Sequence, residues 1–279
     1  MYQKILKQPK KRTLIHEDPL KKQKIWVSIT ALLLVVFWFM PMFHIWRTGE
    51  KVVFSMDGQW ELVWNNLVLG ILNGLHVTMG VSFGAALVSC ILGVILGVWA
   101  GYRGGRTEKV IVWLFDFVDS FPKFIVLIFS LMLIQSKTGS DNLLLVLLVW
   151  GLLIFPSVGQ VMLEHIRDLR KEEFILGVRA LGVKPRRIFW KHLVWDGCKN
   201  MIFIQFSYLF GWSIVIEACL SYLGINRNYE TLGTVYKEVA SKHFLGSLIP
   251  LSVLILLVFL LNWWGDVLTE KYAKHRDVV

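Results

Sequence analysis

LVWNNLVLGILNGLHVTMGVSFGAALVSCILGVILGVWAGY, residues 62–102, holds no Asp, Glu, Lys or Arg. A helix rises 1.5 Å per residue, so about 20 apolar residues cross the hydrocarbon core of a bilayer. The run is about twice that long, and its later part, Leu75–Tyr102, reads as one crossing. Glycine recurs along it as Gly70, Gly74, Gly80, Gly84, Gly93, Gly97 and Gly101, several of them four apart. That spacing stacks small residues on one helix face and lets a second backbone come close. The ladder is therefore assigned to the packing of a helix bundle, not to a substrate site.

Moving outward, Ile25–Trp46 predicts a crossing before this one. Four more follow it, near Val110–Gln135, Asn142–Leu163, Asn200–Tyr222 and His243–Gly265. The expectation is an all-α membrane protein with six transmembrane helices. Composition agrees: 55% of the 279 residues are apolar and 18% charged, against about 25% charged in soluble domains. Mean hydropathy is +0.56. These values exclude intrinsic disorder, a collagen-like fibre and a disulfide scaffold. Cys90, Cys198 and Cys219 are too scattered for a disulfide framework and lack metal-ligand spacing. The first apolar run exceeds the 7–15-residue core of a signal peptide, and no small-residue cleavage site follows, so it reads as a retained helix.

The net charge of +10 is distributed unevenly. The N-terminal tail, the 2–3 and 4–5 loops and the C-terminal tail carry 23 Lys and Arg, against 6 in the other loops. The positive-inside rule then puts both termini in the cytoplasm. The basic balance is a topology signal, since no zinc-finger spacing or RNA-binding signature accompanies it. Between the first two spans, Trp60, Trp64, Leu67 and Ile71 recur at helical spacing. They predict a short helix lying in the outer membrane interface, the plainer reading being a loop rich in tryptophan.

The connection between spans 4 and 5 is far longer than the 2–8 residues usual in helical bundles. Glu172 and Glu173 open a helix in which Phe174, Ile175, Val178 and Leu181 share a face. Acids in the first turn complement the helix dipole. Gly182 is a C-terminal stop, and Pro185 suits the first turn of a second helix running through Ile188, Phe189 and Leu193. The result is a basic, amphipathic helix–turn–helix in the cytoplasm, shaped to dock on another protein. The plainer reading is a solvated positive loop that only fixes topology.

Within it, Arg179-Ala180-Leu181-Gly182-Val183-Lys184-Pro185-Arg186-Arg187-Ile188 resembles the coupling loop of binding-protein-dependent ABC importer permeases, closest to the dipeptide/oligopeptide/nickel subfamily. Further pieces occur in that family's order. They are Ala100-Gly101-Tyr102-Arg103-Gly104-Gly105, Asp116 with Phe121-Pro122, Glu217-Ala218-Cys219-Leu220-Ser221-Tyr222-Leu223-Gly224, Gly233 with Glu238, and Gly265-Asp266. Each is weak alone, but their order over roughly residues 70–270 makes the set specific. The departures are Leu176-Gly177-Val178 in place of the family's Glu-Ala-Ala, and Trp195 where a Pro is usual. They make the chain a divergent member.

The resemblance implies a type I ABC importer permease fold with a cytoplasmic coupling helix hairpin between spans 4 and 5. Together with the apolar runs and the charge tally, it gives a basic cytoplasmic tail (1–24), a first transmembrane helix (25–46), an external loop with the interfacial helix (47–74), a permease core (75–270) with its coupling loop at 167–195, and a cytoplasmic tail (271–279). It implies an ATPase-coupling set of Glu172, Glu173, Arg179, Ala180, Leu181, Gly182, Lys184, Pro185 and Ile188. It also implies partners: a second permease subunit (a relative, giving a heterodimer), two ATP-binding subunits and an extracytoplasmic solute-binding protein. The location implied is the bacterial inner membrane, and the solutes are peptides, nickel chelates or similar small polar molecules.

The chain has no GxxxxGK[ST] loop, HExxH, GxSxG or CxxC, and its seven His are dispersed. It is therefore expected to be a transport subunit and no enzyme, with no cofactor and no metal, ATP being hydrolysed on separate partners. Asp116, Asp119, Gln205 and Glu217 are polar groups inside predicted spans, where burial is costly unless they are paired or wet. Lys123, four residues after Asp119, is an available ion-pair partner. The four either line a translocation path or gate, or bond between helices, and Glu217 leans towards a structural role at the outer gate. Two other classes remain: an ion-coupled secondary transporter, which would want inverted repeats, and a non-transporting scaffold that docks a cytoplasmic partner.

Overall fold

In the computed structural model, the described residues are 60–138, 143–171, 197–225, 229–242 and 245–276, together with Ser28, Gly177, Leu181, Gly182, Phe189, Val194 and Trp195. They form seven helices: α1 (Trp60–Arg103), α2 (Gly105–Asp119), α3 (Lys123–Thr138), α4 (Leu143–Leu169), α5 (Lys199–Leu223), α6 (Leu232–Lys242) and α7 (Leu248–Arg276). Four stretches are long and apolar enough to cross a membrane: Leu67–Arg103, Leu143–Leu169, Lys199–Leu223 and Leu248–Glu270. The expected first span, residues 25–46, lies outside the described residues.

The helix predicted near Val110–Gln135 is not continuous. α2 and α3 meet at an angle of 75°, so the expected third crossing is a bent pair that brings the crossings to five if counted as one. The cause is local. Pro122 has no amide proton to continue the ladder, and its carbonyl instead accepts from Ile125 N and Val126 N as the new helix begins. Ser120 N–H and Oγ both return to the Asp116 carbonyl, closing the end of α2.

A second expectation changes at the start of α1. The short interfacial helix predicted around Trp60–Ile71 is joined without a break to the span expected to begin at Leu75. Leu67 and Ile71 are buried in the bundle. Gly74 does not stop the helix; a Cβ there would lie 2.8 Å from the Thr231 carbonyl carbon, so it marks a close approach.

The glycine ladder packs α1 against α4. A Cβ at Gly93 would lie 2.7 Å from the Phe155 carbonyl oxygen, and one at Gly101 would lie 2.9 Å from that of Leu163. Gly97 sits against the Gly159 backbone. Ser89 Oγ donates to the Gly151 carbonyl at 2.8 Å, a bond between helices of the kind small polar residues make in membranes. Two ladder glycines do not face α4: Gly74 meets the start of α6, and Gly80 meets no described residue within 4 Å.

α6 is short and amphipathic, with Leu232, Val235 and Val239 buried. Thr231 caps it: Thr234 N donates to Thr231 Oγ1 and Thr231 N to Thr234 Oγ1, a reciprocal cap. Gly233 lets the helix rest on the Ala218 carbonyl of α5. α7 closes the bundle over α5, where Tyr208 donates to Asp266 Oδ1 at 2.6 Å and its ring lies over Gly265.

Candidate functional site

Three polar places stand out from this apolar frame: the root of the 4–5 connection, the α2–α3 bend and the C-terminal half of α5.

At the first, Leu181 N donates to the Gly177 carbonyl at 3.0 Å, one helical turn. Gly182 follows at φ +73°, the left-handed conformation that ends helices and that side chains with a Cβ resist. Leu181 is 82% exposed at this end. Glu172, Glu173, Arg179, Ala180, Lys184, Pro185 and Ile188 lie outside the described residues. The root is tied down. The Phe189 ring meets the Tyr102 ring edge-on at 5.3 Å, and His165 Nε2 lies 3.0 Å from the Gly197 carbonyl oxygen. Arg170 Nη1 donates to the Tyr102 and Gly101 carbonyls at 3.3 and 3.5 Å, covering the C-terminal end of α1. Arg167 pairs with Glu108 of α2. Gly104, at φ +67°, leaves room for the Arg170 guanidinium, which a Cβ would meet at 2.8 Å. Arg167 and Arg170 read from sequence only as topology charges, and Glu108 had no reading at all. Their signal is the double glycine after Arg103, which brings α2 back under α4. Cys198, at the start of α5, is fully buried, and burial pushes its thiol up to about 12.

At the bend, Asp119 Oδ1 pairs with Lys123 Nζ at 2.8 Å, the partner its spacing suggested. Gln160 Nε2 of α4 donates to Asp119 Oδ2 at 3.1 Å, a contact that sequence reading missed. Gln160 is nine residues from the end of α4 at Leu169. At 1.5 Å per residue the bend lies about 14 Å inside that helix, within membrane depth. Interrupted backbone there is tolerated only against protein or water. Asp116 is exposed beside it, flanked by the rings of Trp113, Phe117 and Phe121, in contact in sequence at 5.6 and 5.2 Å.

On α5, Glu217 is 2% exposed and accepts from Ser221 Oγ at 2.6 Å. Thr78 of α1, fully buried, accepts from Leu232 N at 3.1 Å, so the cap of α6 is fixed to the same region. Gln205 is half-buried, twelve residues earlier on α5. The four sequence candidates thus divide: Asp116 and Asp119 share the bend, while Glu217 and Gln205 stand apart from it and from each other.

A bundle of long apolar helices, one of them a bent pair, defines an integral membrane protein. The chain belongs to the family of binding-protein-dependent transport system inner membrane components, whose model matches residues 93–274. It is similar to the oligopeptide transport system permease protein OppC of Mycobacterium bovis, with 27% identity over 210 residues, 74% of this chain and 71% of that one. OppC of Bacillus subtilis is 25% identical over 152 residues, 54% of this chain and 48% of the relative. The dipeptide transport system permease protein DppC of Lactococcus lactis is 24% identical over 233 residues, 82% and 65%. The chain thus spans about half of the Bacillus protein and about two thirds of the Lactococcus one. Among solved structures, a chain of the MetNI methionine ABC transporter in an inward facing conformation matches 75% of this chain and 96% of its own, with a TM-score of 0.56 and 18% identity. A second crystal form gives 0.59 at 16% identity. That likeness is one of fold, the type I permease fold.

Proposed function

We propose that this chain is a permease subunit of an ATP-driven importer, moving peptides first, and nickel chelates or similar small polar solutes second, across the bacterial inner membrane. The observation that carries it is the family match over residues 93–274, joined to a basic 4–5 connection whose root is bonded to α1 and α2. Peptides lead because the similar permeases are named for oligopeptides and dipeptides.

In this reading both termini are cytoplasmic and two ATP-binding subunits grip the segment around Glu172–Ile188. Their closure pulls on that segment, and Arg167 and Arg170 pass the movement to the α1–α2 turn. The spans then exchange between inward-open and outward-open arrangements, a bistable element biased by a partner. A second, related permease completes the path, and an extracytoplasmic binding protein delivers and selects the solute. Asp116, Asp119 and Lys123 face the path at the bend; Glu217 holds the outer gate together; Gln205 borders the inner half.

Gly182→Val tests the coupling. A β-branched residue is strained at φ +73°, yet a Cβ there meets no described residue within 4 Å, so the described bundle gains no clash. Uptake and solute-stimulated ATP hydrolysis by the assembled complex should both fall at least tenfold. Wild-type values in both assays sink the coupling role. Co-purification separates the other classes: an importer permease brings ATP-binding subunits with it, whereas an ion-driven carrier transports alone.

A further inference from the structure

Glu217 Oε1 accepts from Ser221, and the hydroxyls of Thr78 and Thr231 lie beside the carboxyl group, yet Oε2 has no partner within hydrogen-bond distance among the described residues. Ser82 of α1 is 1% exposed, and its Oγ has none either. Ser213 of α5 accepts from Trp150 Nε1 at 3.0 Å, which leaves its own hydroxyl proton to give. All three residues line one cavity, walled by Val81, Ala85 and Val146, with room of about 10 Å³ for the centre of a water-sized sphere.

Two bare buried oxygens beside one void are costly, because each lost its hydration on folding and gained nothing. Voids lined by carbon stay dry, but a polar one with about this room holds one water, which needs two to four partners. Glu217 Oε2, Ser82 Oγ and Ser213 Oγ supply three. We infer that a single water molecule occupies this cavity and bridges Glu217 to Ser82 and Ser213. It donates to the carboxyl oxygen and accepts from a serine hydroxyl, cross-bracing α1 to α5 at the level where α6 is capped. The room is too small for a solute or a hydrated ion, so the site is a fixed joint and not a stop on a transport route.

The test uses the full chain purified from membranes with the subunits it retains. A density map that shows ordered waters should hold one peak within hydrogen-bond distance of Glu217 Oε2 and Ser82 Oγ. A cavity without density, or a Ser82 Oγ turned to bond Glu217 directly, overturns the inference. Ser82→Ala gives an independent reading by sign. With the water present, Ser82 belongs to a satisfied network and its loss lowers the thermal midpoint by roughly 2–4 °C. With a dry cavity, the substitution removes a bare buried hydroxyl and the midpoint rises. A raised or unchanged midpoint therefore counts against the bridging water, whatever the chain transports.

Discussion

Asp119 and Glu217 are both carboxyl groups inside membrane-depth helices, and the fold treats them in opposite ways. Asp119 is 29% exposed, carries a lysine partner of similar exposure and takes a bond from Gln160. It sits where the backbone itself is interrupted. Glu217 is nearly sealed, is bonded by a hydroxyl and lies inside an unbroken helix. A charge kept with its counter-ion at a broken, partly open place suits a surface that meets water or solute. A carboxyl enclosed by serine and threonine suits a joint. The difference shows that a polar residue in a span says little by itself; its partners and the state of the backbone decide its use.

Five substitutions, one pair of them combined, probe the contrast. The largest effect is expected from Glu217→Lys, which puts a cation among buried hydroxyls and costs about 3–5 kcal/mol. The chain should vanish from the membrane fraction, whereas Asp119→Lys should accumulate. Equal amounts of the two on an immunoblot erase the distinction. Next, Gln160→Leu removes a bond to a charged group, worth about 1.5–3 kcal/mol, and frees the bend. It should lower uptake more than it lowers the amount of protein, and the reverse order would make Gln160 merely structural. Trp150→Phe, beside Glu217, loses the bond to Ser213, about 1 kcal/mol, and should lower the melting midpoint while leaving transport per complex unchanged. The smallest effect belongs to the reversed pair Asp119→Lys with Lys123→Asp. An ion pair this exposed contributes about 0.2–1 kcal/mol, so a double-mutant cycle should return a coupling in that range, and a larger value would mean the bend is drier than its exposure indicates.

Helices and their packing were the legible part, because they follow from local rules. Runs with little or no charge marked α1, α4, α5 and α7, and the glycine spacing marked a packing face on α1 without naming the helix that covers it. The bend was written in the sequence as Asp119-Ser120-Phe121-Pro122-Lys123, a proline among polar residues, but a count of apolar residues passes over it. The continuity of α1 was hidden for the opposite reason. The tryptophans set residues 60–71 apart as an interfacial helix, and the contact of Gly74 with Thr231, far away in sequence, exists only in the fold. Gln160 and Glu108 went unread as well. Each acts through a neighbour on another helix, and such pairings exist only after the chain has folded. The Asp119–Lys123 pair was readable because both ends lie on consecutive turns.

The row of glycines along α1 has a mechanical consequence. Where main chain rests on main chain, no flexible side chains remain to let one rod slide past the other, and any shear drives hard atoms together. The stretches 93–101 and 155–166 therefore travel as one stiff unit. Whatever rearrangement the molecule undergoes has to be taken up at its edges, by the bent pair on one side and by the helices beyond Lys199 on the other.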